Sequence, residues 1–318
     1  MTVAASFLQF FTRIMPNNSV EYAQTATKKI ASGVFLAFAG SIAFSGKAIL
    51  VKLGYRHGVD AITLLMYRML FALPFFLLLS WWAGRGKDSL TRNEWLQVLF
   101  LGFMGYYLSS YLDFAGLQYI SASLERLILY LNPTIVLLLG WFLWRKPILR
   151  VQWMAFAMSY AGVLVVFGHE VRFDAVNVGW GSALVVGSAV CYAVYLSYSG
   201  EAVKKLGSLR LGGLATSVAC VLCIVQFAVL RPVSAALVPT PVLWYSLLTA
   251  TACTVAPVVM VMMAIERIGA AKTAQIGMIG PVSTLLLGVV FLGEPLNAWI
   301  LVGTVLVLTG VYWASRTR

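Results

Sequence analysis

The sequence predicts an all-α polytopic membrane protein: ten transmembrane helices arranged as two inverted five-helix repeats. Three observations carry this. Hydrophobic residues make up 61% of the chain and charged residues 11%, whereas soluble domains average about 45–50% apolar and about 25% charged. The apolar residues fall into runs of about 20, the helical length that crosses roughly 30 Å of hydrocarbon. The stretch Ala115–Gly168 also recurs 148 positions later without a gap, setting Pro133 on Pro281, Gly140 on Gly288, Pro147 on Pro295 and Gly162 on Gly310. Proline and glycine fix backbone geometry, so a structural unit has been duplicated, not merely a composition.

The elements follow in order. Residues 1–29 hold a short apolar piece, Ser6–Arg13, and then a polar run. That piece is too short to span and reads as a surface helix or a disordered tail. Spans are expected near 30–51, 61–83, 95–114, 119–143 and 151–168, which form a first repeat over 30–168. A second repeat over 179–315 holds spans near 179–199, 210–230, 243–264, 269–292 and 297–315. Turn chemistry separates them at Gly84-Arg-Gly86, Arg145-Lys-Pro147, Gly207-Ser208, Pro239-Thr-Pro241 and Gly293-Glu-Pro295.

Loop charge sets the orientation. The net charge of +12 comes from Lys and Arg scattered through short loops, which suits membrane topology better than a nucleic-acid surface. With a cytoplasmic N-terminus, that side collects sixteen loop cations and the other side four, Lys52, Arg56, Arg172 and Arg231. Both termini are therefore expected in the cytoplasm of a cell with a bacterial-type plasma membrane. A repeat offset of five spans is odd, so the halves must be inverted. Such halves in secondary transporters enclose a midplane site that is exposed to each side in turn. The mismatch of Lys146 with Glu294 obeys the same charge rule.

The four cysteines all sit in apolar runs and read as packing residues, including the Cys220-Val-Leu-Cys223 pair. His57 and His169 fall in expected loops. No metal site or cofactor is indicated.

The pattern Pro133-(x6)-Gly140, a charged-Pro turn and Gly162, repeated as Pro281-(x6)-Gly288, Gly293-Glu-Pro295 and Gly303-(x6)-Gly310, resembles the EamA-type carriers of the drug/metabolite transporter superfamily. Arg68 in Met-Tyr-Arg-Met-Leu is similar to an Arg these proteins often carry in helix 2. The resemblance covers nearly all the chain from residue 30. It implies ten helices in two inverted halves, a cavity bounded by helices 1, 3, 4, 6, 8 and 9, and export of amino acids or other small metabolites, with YddG-type amino-acid exporters the nearest description.

Charge inside a span is costly, so Lys47, Arg68, Asp113, Glu125 and Arg126 are expected to face protein or water. All five map to the outer half of their spans, as one gating or coupling layer, with Glu201, Lys204, Glu266 and Lys272 as its cytoplasmic counterpart. Lys47 and Arg68 both have stems long enough to snorkel outward, and for Lys47 snorkelling is the favoured reading. Glu125 is a short carboxylate that cannot, which makes it a candidate for coupling to protons.

Tyr107 and Tyr111 on helix 3, Tyr130 on helix 4, and Tyr192 and Tyr195 on helix 6 are expected to line the substrate cavity. Each supplies ring surface and one hydroxyl. Lys272, Gln275 and Met278 follow a three-residue ridge on helix 9 toward the same space. Pro133 and Pro281, at equivalent places in helices 4 and 9, are expected as mid-helix kinks and hinges. A membrane enzyme would need a nucleophile or metal cluster, and no such motif is present in the sequence. The expected partners are a small-molecule substrate and the lipid bilayer, with protons as coupling ion if transport is antiport rather than uniport, and no nucleic acid.

Overall fold

The computed structural model describes residues 18–145, 147–171, 175–268, 273, 276, 277 and 279–316, and no strand occurs among them. The expectations at Lys272, Gln275 and Met278 lie outside the described residues, as does most of the N-terminal tail. The tail's last twelve residues continue the first helix backwards: α1 runs Asn18–Tyr55, with its apolar part at Ile30–Tyr55. Then come α2 (Ala61–Gly84), α3 (Arg92–Leu117), α4 (Ala122–Leu143), α5 (Arg150–Val171), α6 (Ala175–Leu206), α7 (Ser208–Leu230) and α8 (Thr240–Ile265). These eight segments are long and apolar enough to cross a membrane, and two shorter apolar helices follow, α9 (Ile279–Leu292) and α10 (Ala298–Arg316).

Local chemistry explains the helix starts. Asp60 accepts the N–H groups of Ile62 at 2.9 Å and Thr63 at 3.3 Å, satisfying donors that the first turn of α2 cannot pair internally. Thr91 and Glu94 form a reciprocal capping box that opens α3. Ser121 caps α4 by accepting from the Leu124 N–H at 3.0 Å.

The sequence repeat reappears in the backbone, 148 residues apart. Arg92 and Thr240 start α3 and α8, and Arg150 and Ala298 start α5 and α10. Both α3 and α8 loosen into a π-helical turn at the same register, Phe103–Leu108 and Thr251–Val255. Arg145 and Gly293, which close α4 and α9, both adopt the left-handed conformation, with φ of 51° and 71°.

Packing shows the same exchange of halves. α1 lies against α8 and α9 as α6 lies against α3 and α4, while α2 pairs with α7 and α5 with α10. The α5–α10 seam uses small residues: a Cβ on Gly162 would fall 2.6 Å from the Gly303 carbonyl oxygen, and one on Gly303 2.6 Å from that of Gly162. Lipid tails give apolar helix faces no reason to associate, so such close backbone approach supplies the adhesion.

The halves are antiparallel. At one face the end of α1 meets the end of α9, through Arg56 and the Leu292 carbonyl, and the start of α4 meets the residues just after α9, through Ala122 and Glu294. At the other face Lys87, after α2, donates to the Leu206 carbonyl at the end of α6. α4 therefore begins at the face where α9 ends. The first is called here the Glu294 face. Trp81, Trp82, Trp95, Trp141, Trp153, Trp244 and Trp299 lie exposed near helix ends, where amphipathic rings suit a membrane interface.

Candidate functional site

A cavity of about 350 Å³ opens between the two halves, within the range of small-molecule sites. Phe44 and Lys47 of α1, Arg68, Met69 and Phe76 of α2, and Tyr106, Ser109 and Asp113 of α3 form one wall. Arg126, Tyr130 and Asn132 of the α4 region, Ser188 and Tyr192 of α6, Thr216 of α7 and Thr254 of α8 complete it. α2 and α7 therefore contribute walls that the sequence comparison did not assign to them.

Lys47 does not snorkel. Its ammonium pairs with Asp113 and, at 3.2 Å, with Glu125, and its side chain is 13% exposed. The snorkelling expectation is corrected because two carboxylates within reach hold the charge in place. Glu125 is 0% exposed, sealed behind Lys47 rather than at the cavity wall. Arg68 donates from Nε to Thr254 Oγ1 at 3.1 Å, and its guanidinium lies 5.3 Å from the Phe114 ring.

Arg126 stands apart from the other charges. It makes no ion pair among the described residues, and its guanidinium lies 5.4 Å from the Tyr130 ring centroid. Its Nε, Asp113 Oδ1, Glu125 Oε2 and Asn132 Oδ1 are buried without a hydrogen-bond partner among the described residues. Three of these atoms belong to residues that line the cavity. Arg126, Asp113 and Asn132 thus bring a cationic, an anionic and a neutral polar side chain to the lining, while these particular atoms are buried within the wall.

The tyrosines divide. Tyr130 and Tyr192 line the cavity. Tyr195 lies behind it, its hydroxyl 3.1 Å from that of Tyr106 and its ring stacked on Tyr192. The absence of a side chain at Gly105 permits this, since a Cβ there would fall 2.4 Å from the Tyr195 ring. Tyr107 and Tyr111 are not at the cavity: Tyr107 packs on Phe103, and both join the apolar cluster around α2 and α7. Four-residue spacing did place these two on one helix face, but that face turns toward the packed α2–α7 pair. Tyr106, one residue earlier, reaches the cavity instead.

The two prolines also differ from the expected pair of mid-helix kinks. α4 is interrupted after Leu129 and resumes at Asn132, so Pro133 stands in the first turn of the second segment, where a missing N–H costs no hydrogen bond. Pro281 is buried within α9. The Gly277 carbonyl, four residues before Pro281, loses its helical donor, and the Leu129 carbonyl lies at the break in α4. The Asn132 amide donates to the Leu129 carbonyl at 2.8 Å, and the Tyr130 hydroxyl donates across the repeat boundary to that of Gly277.

Outside the cavity, the Glu294 face carries a second pocket of about 310 Å³ bounded by Lys52, Tyr55, Arg56, Gln118 and Glu294. On the opposite face Lys204 is exposed, while the side chains of Glu201 and Glu266 lie outside what is described. The four cysteines are free thiols, and no cluster able to hold a metal ion occurs among the described residues.

Comparison with known proteins places this architecture. The profile of the EamA-like transporter family matches residues 31–168 and again 179–316. The chain is 28% identical over 282 residues to the uncharacterized transporter YcbK of Bacillus subtilis (strain 168), across 86% of this chain and 89% of that one. It is 26% identical over 247 residues to the uncharacterized transporter YyaM of the same organism, across 77% and 80%. A solved structure, titled only as the crystal structure of a protein, superposes with a TM-score of 0.61 at 16% identity over 89% of this chain and 97% of that one, a likeness of fold alone.

Proposed function

The chain belongs to the EamA-like transporter family, and we propose that it is a secondary carrier exporting a small zwitterionic metabolite of the amino-acid class by alternating access. One observation supports the substrate class. A single cavity is lined by Arg126, a guanidinium with no ion pair among the described residues, and by Asp113, a carboxylate shared with Lys47. An amino acid brings the complementary carboxylate and ammonium, and its binding would satisfy both. Tyr106, Tyr192 and Phe44 then offer ring surface to the rest of the molecule.

The antiparallel halves support alternating access, because exchanging their two arrangements moves the opening from one face to the other. Pro133 and Pro281 serve as hinges, at positions where side chains rather than the helix ladder hold the backbone carbonyls. Lys47, Asp113 and Glu125 form a group able to exchange a proton for substrate. Loop charge supports a topology with both termini in the cytoplasm and the Glu294 face outside.

The test is reconstitution into liposomes with a panel of labelled amino acids, with and without a pH gradient. Saturable transport that is lost in Arg126→Gln and Asp113→Asn agrees with the proposal. Transport that ignores both substitutions, or no transport of any amino acid, sinks the substrate class.

A further inference from the structure

We propose that Glu294 latches the cavity shut on its own face, and that the two gates of this carrier are unequal because the sequence carries no carboxylate or hydroxyl at the equivalent positions of the other repeat. The inference rests on the alternating-access reading but not on the identity of the substrate.

The Glu294 carboxylate comes from the second repeat, just beyond the end of α9, yet it caps a helix of the first. It accepts the N–H groups of Ala122 at 2.7 Å and Ser123 at 3.3 Å, and the Ser123 hydroxyl at 2.8 Å. Beside it Glu170, at the end of α5, accepts the Ser121 N–H at 3.3 Å and the Ser121 hydroxyl. Arg56, at the end of α1, donates to the Leu292 carbonyl in the last turn of α9. First-turn N–H groups have no partner inside their own helix and carry partial positive charge, so a carboxylate is their strongest available acceptor. Moving α4 away from α9 to open this face would break all three Glu294 bonds at once.

In the repeat register the sequence differs at the equivalent positions. The residue equivalent to Glu294 is Lys146, and that equivalent to Glu170 is Arg318. Both are donors only and cannot accept a helix N–H. Ser121 and Ser123 correspond to Gly269 and Ala271, which have no hydroxyl. The backbone plan is shared between the halves, but the closing chemistry is present in one copy. The equilibrium therefore leans toward the state closed at the Glu294 face, and substrate arriving from the opposite face meets the better-populated binding-competent state.

The test uses the full chain in oriented membrane vesicles, with Leu129→Cys on the cavity wall, a membrane-impermeant maleimide applied to either face, and the chain lacking that cysteine as control. Glu294→Ala should raise labelling from the Glu294 face by roughly tenfold, the ratio sustained by one charge-assisted hydrogen bond, and lower it from the other. Ser123→Ala should shift the ratio in the same direction by less, and it covers the case in which Glu294→Ala does not fold. Lys146→Glu should move the ratio the opposite way. A merely structural role would raise labelling from both faces, and that outcome, or an unchanged ratio, overturns the latch. Failure of the amino-acid transport assay would leave the labelling ratio untouched, so the two proposals fail separately.

Discussion

The Tyr130 hydroxyl donates to the carbonyl of Gly277, which lies four residues before Pro281 and is deprived by it of a helical N–H. A residue of the first repeat thus completes the backbone of the second at the cavity wall. The contact is close, since a Cβ on Gly280 would fall 2.5 Å from the same hydroxyl oxygen.

This relationship predicts a coupled pair. Tyr130→Phe should destabilise the protein by about 1–3 kcal/mol, the cost of leaving a buried polar group unmade. In a Pro281→Ala background the restored N–H returns to the Gly277 carbonyl, and the Tyr130→Phe penalty should shrink to a fraction of that. A double-mutant cycle on thermal unfolding in detergent measures the coupling. Additive effects would show that the hydroxyl does not serve that carbonyl.

Lys47 carries a different prediction, because two buried carboxylates depend on it. Removing one partner of a buried pair typically costs about 3–5 kcal/mol, as it strands the opposite charge. Lys47→Met should fall in that range. Adding Asp113→Asn and Glu125→Gln should recover most of the loss, since no stranded charge is left. If the triple substitution unfolds as early as the single one, shape rather than charge is what Lys47 supplies.

These contacts show what the sequence discloses and what it hides. Proline and glycine in one ungapped register determine backbone conformation directly, so the spans, the repeat and its inversion can be read from the chain. The cavity chemistry follows another rule. The five charges of the outer layer lie in the first repeat, and by register Lys47 corresponds to Tyr195, Arg68 to Thr216 and Asp113 to Val261. Symmetry could therefore not assign them partners. The inward direction of Tyr106, rather than Tyr107 and Tyr111, depends on the π-helical turn at Phe103–Leu108, which rotates the helix face away from simple 3.6-residue counting. Glu294 was legible as a loop charge; its role as a cap came from spatial approach across 172 residues.

Asp60 gives a prediction in pH. It caps α2 from outside the apolar spans and also accepts from the Thr63 hydroxyl at 2.7 Å and Arg231 Nε at 3.2 Å. Partial burial pushes its carboxyl up, but the Thr63 hydroxyl, Arg231 and the Thr63 N–H outweigh that and hold it below the ordinary value. Its stabilising contribution is therefore full above the unfolded-state value of about 3.9 and is lost as pH falls through the lower folded value. Asp60→Asn should flatten the acid limb of stability against pH while keeping the cap. Asp60→Ala should cost about 1 kcal/mol at neutral pH. An unchanged acid limb in Asp60→Asn would remove Asp60 from the titration.

Arg145 and Gly293 provide the cleanest test of the repeat at the level of backbone energy. They occupy the same register at the ends of α4 and α9, and both are left-handed, but only Arg145 carries a side chain. A left-handed residue with a Cβ suffers a clash with its own carbonyl worth roughly 1–2 kcal/mol. Arg145→Gly should therefore raise stability by up to about 1 kcal/mol, part of the relief being offset by the greater freedom of glycine in the unfolded chain. Gly293→Ala should lower stability by a similar amount. A Cβ there would meet nothing within 4 Å, so crowding does not confuse the comparison. Opposite-signed shifts in unfolding temperature would establish that both repeats close their fourth helix with one backbone turn. Shifts of the same sign would show that the two turns are held by different forces despite their shared angles.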